Sequence, residues 1–167
     1  YLSDETQMLE WKQMVEDEKL VAALIYLDNY DEVLDSIEET RRPLLPALID
    51  RQITKYSSAY HGVIKTLAND KYFAIVSNEH LKEMQANDFS LLEDVKTISI
   101  GNTINVTISI GLGINGGTYS KNYDYARMAI DMALGRGGDQ VVLKNQDEIT
   151  YYGGRTPSQG KNTRVKA

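Results

Sequence analysis

An uninterrupted apolar run from Val21 to Leu27, Val-Ala-Ala-Leu-Ile-Tyr-Leu, constrains the fold more than any other segment of this chain. It has the length of a strand, and it contains no polar residue that would mark one face as exposed to water. We therefore predict a central strand that is covered on both faces. Asp28, Asn29 and Tyr30 follow as turn-forming residues that end the strand.

The other patterns along the chain predict an α+β domain. Apolar spacings of three and four indicate helices, and short apolar runs between turn formers indicate strands. Helices are predicted over 3–19, within 31–57, over 79–97 with a break at Asn87-Asp88, and over 121–134; strands are predicted over 63–68, 72–77, 104–114, 140–144 and 148–152. Pro43 is expected to be the first residue of a helix. This order favours an antiparallel or mixed sheet with helices on one face, the ferredoxin-like class.

These patterns divide the chain into three parts. Residues 1–19 are predicted to form an N-terminal linker helix, residues 20–153 the folded domain, and residues 154–167 a flexible, basic linker. Because the chain begins at Tyr1, we expect it to be part of a longer protein.

The N-terminal helix carries an apolar stripe. Ser3 or Asp4 can cap this helix, and Met8, Trp11 and Val15 lie on one side of it. The stripe either packs on its own domain or pairs with a second chain as a signalling helix; three residues are too few to identify a coiled coil.

Composition excludes several classes of function. A net charge of −6 argues against nucleic-acid binding, because no basic surface is available to neutralise phosphates, and without such a surface the 11 tyrosines do not indicate base stacking. The chain has no cysteine, which excludes disulfides and cysteine-bound metals. Its two histidines, His61 and His80, are far apart in sequence, so we expect surface or turn positions and no histidine metal site. No apolar run approaches the roughly 18 residues that span a membrane.

Four segments, in this order, resemble the GGDEF domain of diguanylate cyclases. They are a strand followed by a turn (VAALIYLDNYDEV), a hairpin (LANDKYFAIV), a second strand (VTISIGLG), and a helix with its following strand (ARMAIDMALGRGGDQVV). The resemblance covers about residues 20–145. It implies a ferredoxin-like, nucleotide-cyclase-like fold with an antiparallel-rich sheet and helices packed on it.

The departures from the cyclase pattern fall on the residues that would hold the metal. In the family, Mg²⁺ is bound by an Asp at the end of the first strand and by the Glu of the signature hairpin. These positions fall here on Tyr26 and Tyr72. A phenol with an ordinary pKa near 10 cannot replace a carboxylate on Mg²⁺ at neutral pH. The resemblance therefore implies a domain that has lost both metal ligands and binds no metal.

The nucleotide-binding positions of the cyclases are also changed. The signature glycines, which let a nucleotide approach the backbone, fall on Asn69 and Asp70. The guanine-binding positions fall near Leu34 and Pro43, and the phosphate-binding positions of the last helix fall on Leu134 and Gly138. The stretch 56–69 contains neither Arg nor Asp, so the inhibitory Arg-x-x-Asp site is missing. We do not expect cyclase activity.

This combination resembles the degenerate GGDEF domain of the membrane-bound cyclic-di-AMP phosphodiesterases of the GdpP/YybT type. LDNYDEV, NDKYF, ALGRGGDQ and the final YYGG and TRVKA segments carry the likeness. It implies a bacterial, membrane-anchored protein in which a PAS domain precedes this cytoplasmic domain. A DHH/DHHA1 unit that hydrolyses cyclic-di-AMP with Mn²⁺ follows it. The Asp-His-His triplet of that unit is absent here, so its catalytic residues lie outside this sequence.

Five residues are candidates for a vestigial nucleotide site. Asp28 and Asn29 follow the first strand, and Asn69, Asp70 and Lys71 form the hairpin tip. One interpretation is that both groups form ordinary turns. The other is that they are the remnant of a site that binds ATP with Mg²⁺, in which Lys71 contacts a phosphate. The GRGGD segment at 135–139 either cradles an anion or ends the preceding helix, and a position after the helix favours the cap.

Three functions are compatible with this pattern. The first is a regulatory module without cyclase activity that modulates the DHH/DHHA1 unit, by a change in dimer geometry or by nucleotide binding without turnover. The second is a weak ATPase. The third is a spacer or dimerisation unit without a ligand. The expected partners are a second copy of the chain, the flanking domains and a nucleotide.

Overall fold

The computed structural model describes residues 4–154, except for the side chains of residues 4 and 15–17. The predictions for Ser3, for the Val15 side chain and for residues 155–167 therefore lie outside the described residues. The elements are six α-helices, a short 3₁₀-helix and six strands within this range: α1 Asp4–Glu18, β1 Leu20–Leu27, α2 Tyr30–Asp35, the 3₁₀-helix Glu39–Arg41, α3 Leu44–Ala59, β2 Val63–Ala68, β3 Lys71–Ser77, α4 Asn78–Ala86, α5 Leu91–Lys96, β4 Ile108–Ile114, α6 Tyr119–Gly135, β5 Gln140–Asn145 and β6 Glu148–Gly153.

The strands form one mixed sheet in the order β2-β3-β1-β4-β5-β6. All neighbouring strands are antiparallel except β4 and β5, which are parallel and are joined through α6. This is the α+β, antiparallel-rich sheet that the sequence predicted. None of the helices within residues 4–154 combines the length and apolarity needed to cross a bilayer.

Helices cover both faces of this sheet. The odd residues of β1, among them Val21 and Ile25, pack in the main core with α2–α5, whereas Ala22 and Leu24 pack against α6. The prediction of helices on one face only is therefore wrong, and the reason lies in β1 itself. A strand that is apolar on both sides must be covered on both sides.

The helix α3 shows how spacing produces one of these layers. Its buried residues recur at intervals of four and form a single stripe facing the sheet: Leu45, Ile49, Ile53 and Ser57. Pro43 lies one residue before this helix, at its N-cap, rather than at its first position as predicted. The predicted break between α4 and α5 is confirmed, because Asp88 and Phe89 both have positive φ angles that a helix cannot accommodate.

The strand predicted over 104–114 begins only at Ile108. Asparagine side chains bond to backbone groups of the preceding loop. The Nδ2 of Asn102 donates to the carbonyl of Ile104 at 2.8 Å, and the Nδ2 of Asn29 donates to the carbonyl of Asn105, also at 2.8 Å. These side chains compete with strand pairing for the same carbonyls, which explains the late start of β4.

The helix α6 lies against β4 at two glycines. A Cβ on Gly111 would overlap the backbone of Ala126 and Ile130, and a Cβ on Gly113 would overlap the carbonyl oxygen of Asn122. Small buried residues on α6, including Ala126 and Ala129, complete this close packing. The two glycines of the VTISIGLG segment, Gly111 and Gly113, are therefore packing residues in this fold.

We predict that Gly113→Ala lowers the free energy of unfolding by about 1–3 kcal/mol, because the helix must move away from the strand. Urea unfolding followed by circular dichroism measures the loss. Gly135→Ala is the matched control, since a Cβ there meets nothing within 4 Å. An unchanged stability in Gly113→Ala would contradict the close packing of α6.

Candidate functional site

The predicted site residues gather where β1 ends, beside the tip of the β2–β3 hairpin. The backbone N–H of Leu27 donates to the carbonyl of Asp70 at 2.9 Å, which fixes the hairpin tip to the end of β1. Within the pairing of β1 and β3, Tyr26 lies opposite Lys71, and Ile25 lies opposite Tyr72. Two of the four segments that carried the resemblance are therefore neighbours in space.

Tyr26 and Tyr72 point to opposite faces of the sheet, because side chains alternate along a strand. Tyr72 is 3% exposed and belongs to the main core under α2–α5. Tyr26 packs instead with the cluster under α6. The structure does not bring these two positions together, so no single ion could contact both side chains.

The neighbour of Tyr26 is Lys71. The Nζ of Lys71 lies 5.4 Å from the centroid of the Tyr26 ring and 3.6 Å from the Oδ1 of Asp70. Burial and the nearby Tyr123 raise the pKa of Tyr26, although Lys71 and Arg127 lower it. The phenol is therefore neutral at physiological pH, and the charge beside it is an ammonium group. Neither group is a ligand for Mg²⁺.

Tyr72 is also held in its neutral form. Burial raises its pKa to about 12, and the negative charge of Asp50 contributes to the same shift. It therefore acts as a core aromatic residue in this fold.

Asp28 is a structural joint between three segments. Its carboxylate accepts hydrogen bonds from the Oγ1 of Thr107 at 2.7 Å, the Oγ of Ser109 at 2.5 Å and the backbone N–H of Asp139 at 2.9 Å. Gly138 packs directly against this carboxylate, where any Cβ would overlap it. The end of β1, the start of β4 and the loop after α6 are thereby joined through one side chain.

Asn29 is bound within the same region. Its Nδ2 donates to the carbonyl of Asn105, and its Oδ1 accepts from the backbone N–H of Thr107 at 3.3 Å. Whether Asp28 or Asn29 also contacts a nucleotide stays a prediction. Asn69 is exposed at the hairpin tip, whereas Asp70 and Lys71 form a solvated pair with side chains 36% and 44% exposed.

The GRGGD segment ends α6, as predicted. The backbone N–H of Gly138 donates to the carbonyl of Ala133 at 2.9 Å, and that of Gly137 donates to Leu134 at 3.1 Å. These two hydrogen bonds form the pattern that is typical of a helix terminated by glycine. Asp139 then pairs through its Oδ2 with the Nζ of Lys96 at 2.8 Å, which fixes the loop to α5.

Three features of the structure were not predicted. Arg127 and Tyr123 lie close enough to Tyr26 to influence its pKa, and their spacing of four on α6 was the available signal. His61 and His80, which are far apart in the sequence, have ring centroids 5.1 Å apart. A cleft of about 680 Å³ lies at the opposite end of β1, near Leu20, and none of the predicted site residues lines it.

Solved structures identify the class of fold. The active GGEEF domain of a diguanylate cyclase from Vibrio cholerae superposes with a TM-score of 0.65 at 11% identity, covering 85% of this chain and 92% of that one. The FimX GGDEF domain from Pseudomonas aeruginosa gives a TM-score of 0.62 at 16% identity, covering 83% and 92%. The chain therefore has the fold of GGDEF domains.

Sequence comparison identifies the family within this class. The family model for the GGDEF domain of GdpP-like cyclic-di-AMP phosphodiesterases matches residues 25–151. The cyclic-di-AMP phosphodiesterase PdeA of Listeria monocytogenes is 33% identical and GdpP of Bacillus subtilis is 30% identical, each over the whole of this chain. This chain belongs to the GGDEF domain family of GdpP-like cyclic-di-AMP phosphodiesterases. It spans 26% of the length of each of these two relatives.

We predict that Asp28→Ala lowers the free energy of unfolding by about 2–4 kcal/mol, because three donors lose their acceptor in a partly buried place. Thermal and urea unfolding measure the effect. Asp35→Ala is the control, since Asp35 is an exposed aspartate at the end of α2. A loss no larger than that of the control would contradict the structural role of Asp28.

Proposed function

We propose that this domain is a regulatory module, without cyclase activity, of a cyclic-di-AMP phosphodiesterase. It modulates the DHH/DHHA1 hydrolase of the same chain, and it lies on the cytoplasmic side of a membrane-anchored bacterial protein. The phosphodiesterase names of its relatives support the parent activity. Their greater length is consistent with flanking PAS and DHH/DHHA1 domains. Mn²⁺ would belong to the DHH unit.

The observation that carries the proposal is the pairing of Tyr26 with Lys71. A cyclase must hold Mg²⁺ beside a triphosphate with carboxylate oxygens. Here a neutral phenol and an ammonium group lie side by side at that place, and the nearby carboxylate of Asp70 is paired with the ammonium. Among residues 4–154, no three acidic, histidine or cysteine side chains are arranged to hold a metal ion.

The connection between α1 and β1 supports a role in signal transmission. Only Lys19 separates the last residue of α1 from the first residue of the central strand. The helix contacts the domain mainly through α4. Met8 and Trp11 of the predicted stripe are 55% and 63% exposed, and Met14, three residues further on, is 55% exposed. These three residues, here called the α1 stripe, therefore do not pack on their own domain.

A second copy of α1 is the partner that we propose for this stripe. Exposed Met and Trp side chains in a row are typical of helix interfaces rather than of free surfaces. A pair of α1 helices, one from each copy, would bury the three residues and join the two central strands. A change in the geometry of that pair would then be passed to both domains of a dimer.

We predict that the 167-residue chain dimerises and that Trp11→Ser weakens the dimer by about 2 kcal/mol or more, as expected for a tryptophan at the centre of an interface. Sedimentation equilibrium measures the dissociation constant. Leu9→Ser is the matched control, because Leu9 is 67% exposed but lies on a different side of the helix. A monomeric chain, or equal effects of the two variants, would contradict pairing through this stripe.

The regulatory role is tested in the full-length protein that contains this chain. Deleting residues 20–153 is expected to change the rate of cyclic-di-AMP hydrolysis or its response to signals. Trp11→Ser should change it in the same direction if α1 transmits the signal. If the deletion changes neither hydrolysis nor its regulation, the regulatory proposal is refuted and the spacer is the remaining function.

Nucleotide binding and ATP hydrolysis are tested on the 167-residue chain. Isothermal titration with ATP, GTP and cyclic dinucleotides, with and without Mg²⁺, is expected to show no dependence of binding on Mg²⁺. Incubation of the chain with GTP and Mg²⁺ is expected to form no cyclic-di-GMP. ATP turnover that Lys71→Ala abolishes would favour the weak ATPase instead. Turnover unchanged by Lys71→Ala would indicate a contaminant or another site.

A further inference from the structure

The two histidines of the chain are neighbours in the structure. The ring centroids of His61 and His80 are 5.1 Å apart, and the ring planes are inclined by 55°. His61 lies in the turn between α3 and β2, and His80 lies in the first turn of α4. Neither histidine belongs to the predicted nucleotide site at the end of β1, and the sequence predicted no histidine metal site.

The backbone around His61 is held in place. His61 has a φ angle of 53°, and its N–H donates to the carbonyl of Ser58 at 3.1 Å. The next N–H, that of Gly62, donates to the carbonyl of Ser57 at 2.8 Å. A Cβ on Gly62 would approach the side chain of Val76 to 2.8 Å, so the turn packs closely against β3. The imidazole of His61 is therefore attached to a well-supported turn.

The ring of His80 is oriented by Ser77, the N-cap residue of α4. The Oγ of Ser77 lies 2.7 Å from the Nδ1 of His80 and also accepts from the backbone N–H of His80 at 3.4 Å. When Nδ1 donates to this hydroxyl, the lone pair of the imidazole is on Nε2. Such a hydrogen bond on the second nitrogen is the usual way in which a protein orients a metal-binding histidine.

The spacing of the rings suits one shared metal ion. Two imidazoles bound to a tetrahedral ion at about 2.0–2.1 Å have their ring centres about 5 Å apart. The Oε1 of Glu83 lies 3.9 Å from the Nε2 of His80, and its side chain is 57% exposed. Two imidazoles and one carboxylate form a donor set that zinc uses in proteins.

We propose that His61 and His80 bind a divalent transition-metal ion such as Zn²⁺, with Glu83 as third ligand and water completing the coordination. Within the described part of the chain no three such ligands are already gathered around a point, so the carboxylate moves in when the ion binds. Imidazole favours Zn²⁺, Ni²⁺ and Cu²⁺ over Mg²⁺. The site would link the turn after α3 to α4, the helix that α1 contacts.

Zinc titration of the 167-residue chain tests the site. Calorimetry is expected to show one Zn²⁺ per chain and no Mg²⁺ binding under the same conditions. His61→Gln and His80→Gln should each weaken Zn²⁺ binding by about tenfold or more, since each removes one of the ligands. Circular dichroism of the metal-free variants checks that both remain folded.

Two further measurements separate a built site from weak surface binding. Glu83→Gln should weaken Zn²⁺ binding more than Glu79→Gln, which removes an exposed carboxylate of the same helix. Co²⁺ should broaden the amide NMR signals of residues near 61 and 80 before any others. The proposal is overturned if both histidine variants bind Zn²⁺ as strongly as the unchanged chain does. It is also overturned if binding does not saturate at one ion per chain. Equal effects of the two glutamate variants overturn the assignment of Glu83.

Discussion

The burial of β1 on both faces is the constraint on which the rest of this structure depends. Its odd residues require a cover of helices α2–α5, and its even residues require α6. Because α6 must lie close to the sheet to cover Ala22 and Leu24, the neighbouring strand β4 carries glycines where the helix passes. One apolar run thus determines the two layers and the composition of the strand beside it.

The carboxylate of Asp28 holds the end of β1 in place. Its partners are two hydroxyl groups and a backbone N–H. These donors satisfy the carboxylate without a cation. The carboxylate therefore joins β1, β4 and the loop after α6 directly.

The sequence predicted the fold well because the relevant signals are local. The apolar run of β1, the glycine end of α6 and the break at Asp88 each follow from a few adjacent residues. The late start of β4 was missed because Asn29, distant in sequence, supplies the competing hydrogen bond. The arrangement of the site was harder to predict for the same reason. Strand register and side-chain alternation place Lys71, and not Tyr72, beside Tyr26, and residue types alone do not reveal either of them.

The position of α1 explains how this domain can act mechanically. A single residue, Lys19, separates this helix from the central strand, so a rotation of α1 cannot be absorbed by a flexible linker. The strand is itself packed on both faces, and close-packed interiors respond to displacement as units rather than by gradual deformation. A shift imposed on α1 would therefore reach β1, and through Asp28 the loop after α6. For the proposed regulatory role, the intact packing of this domain matters more than any chemistry at its hairpin.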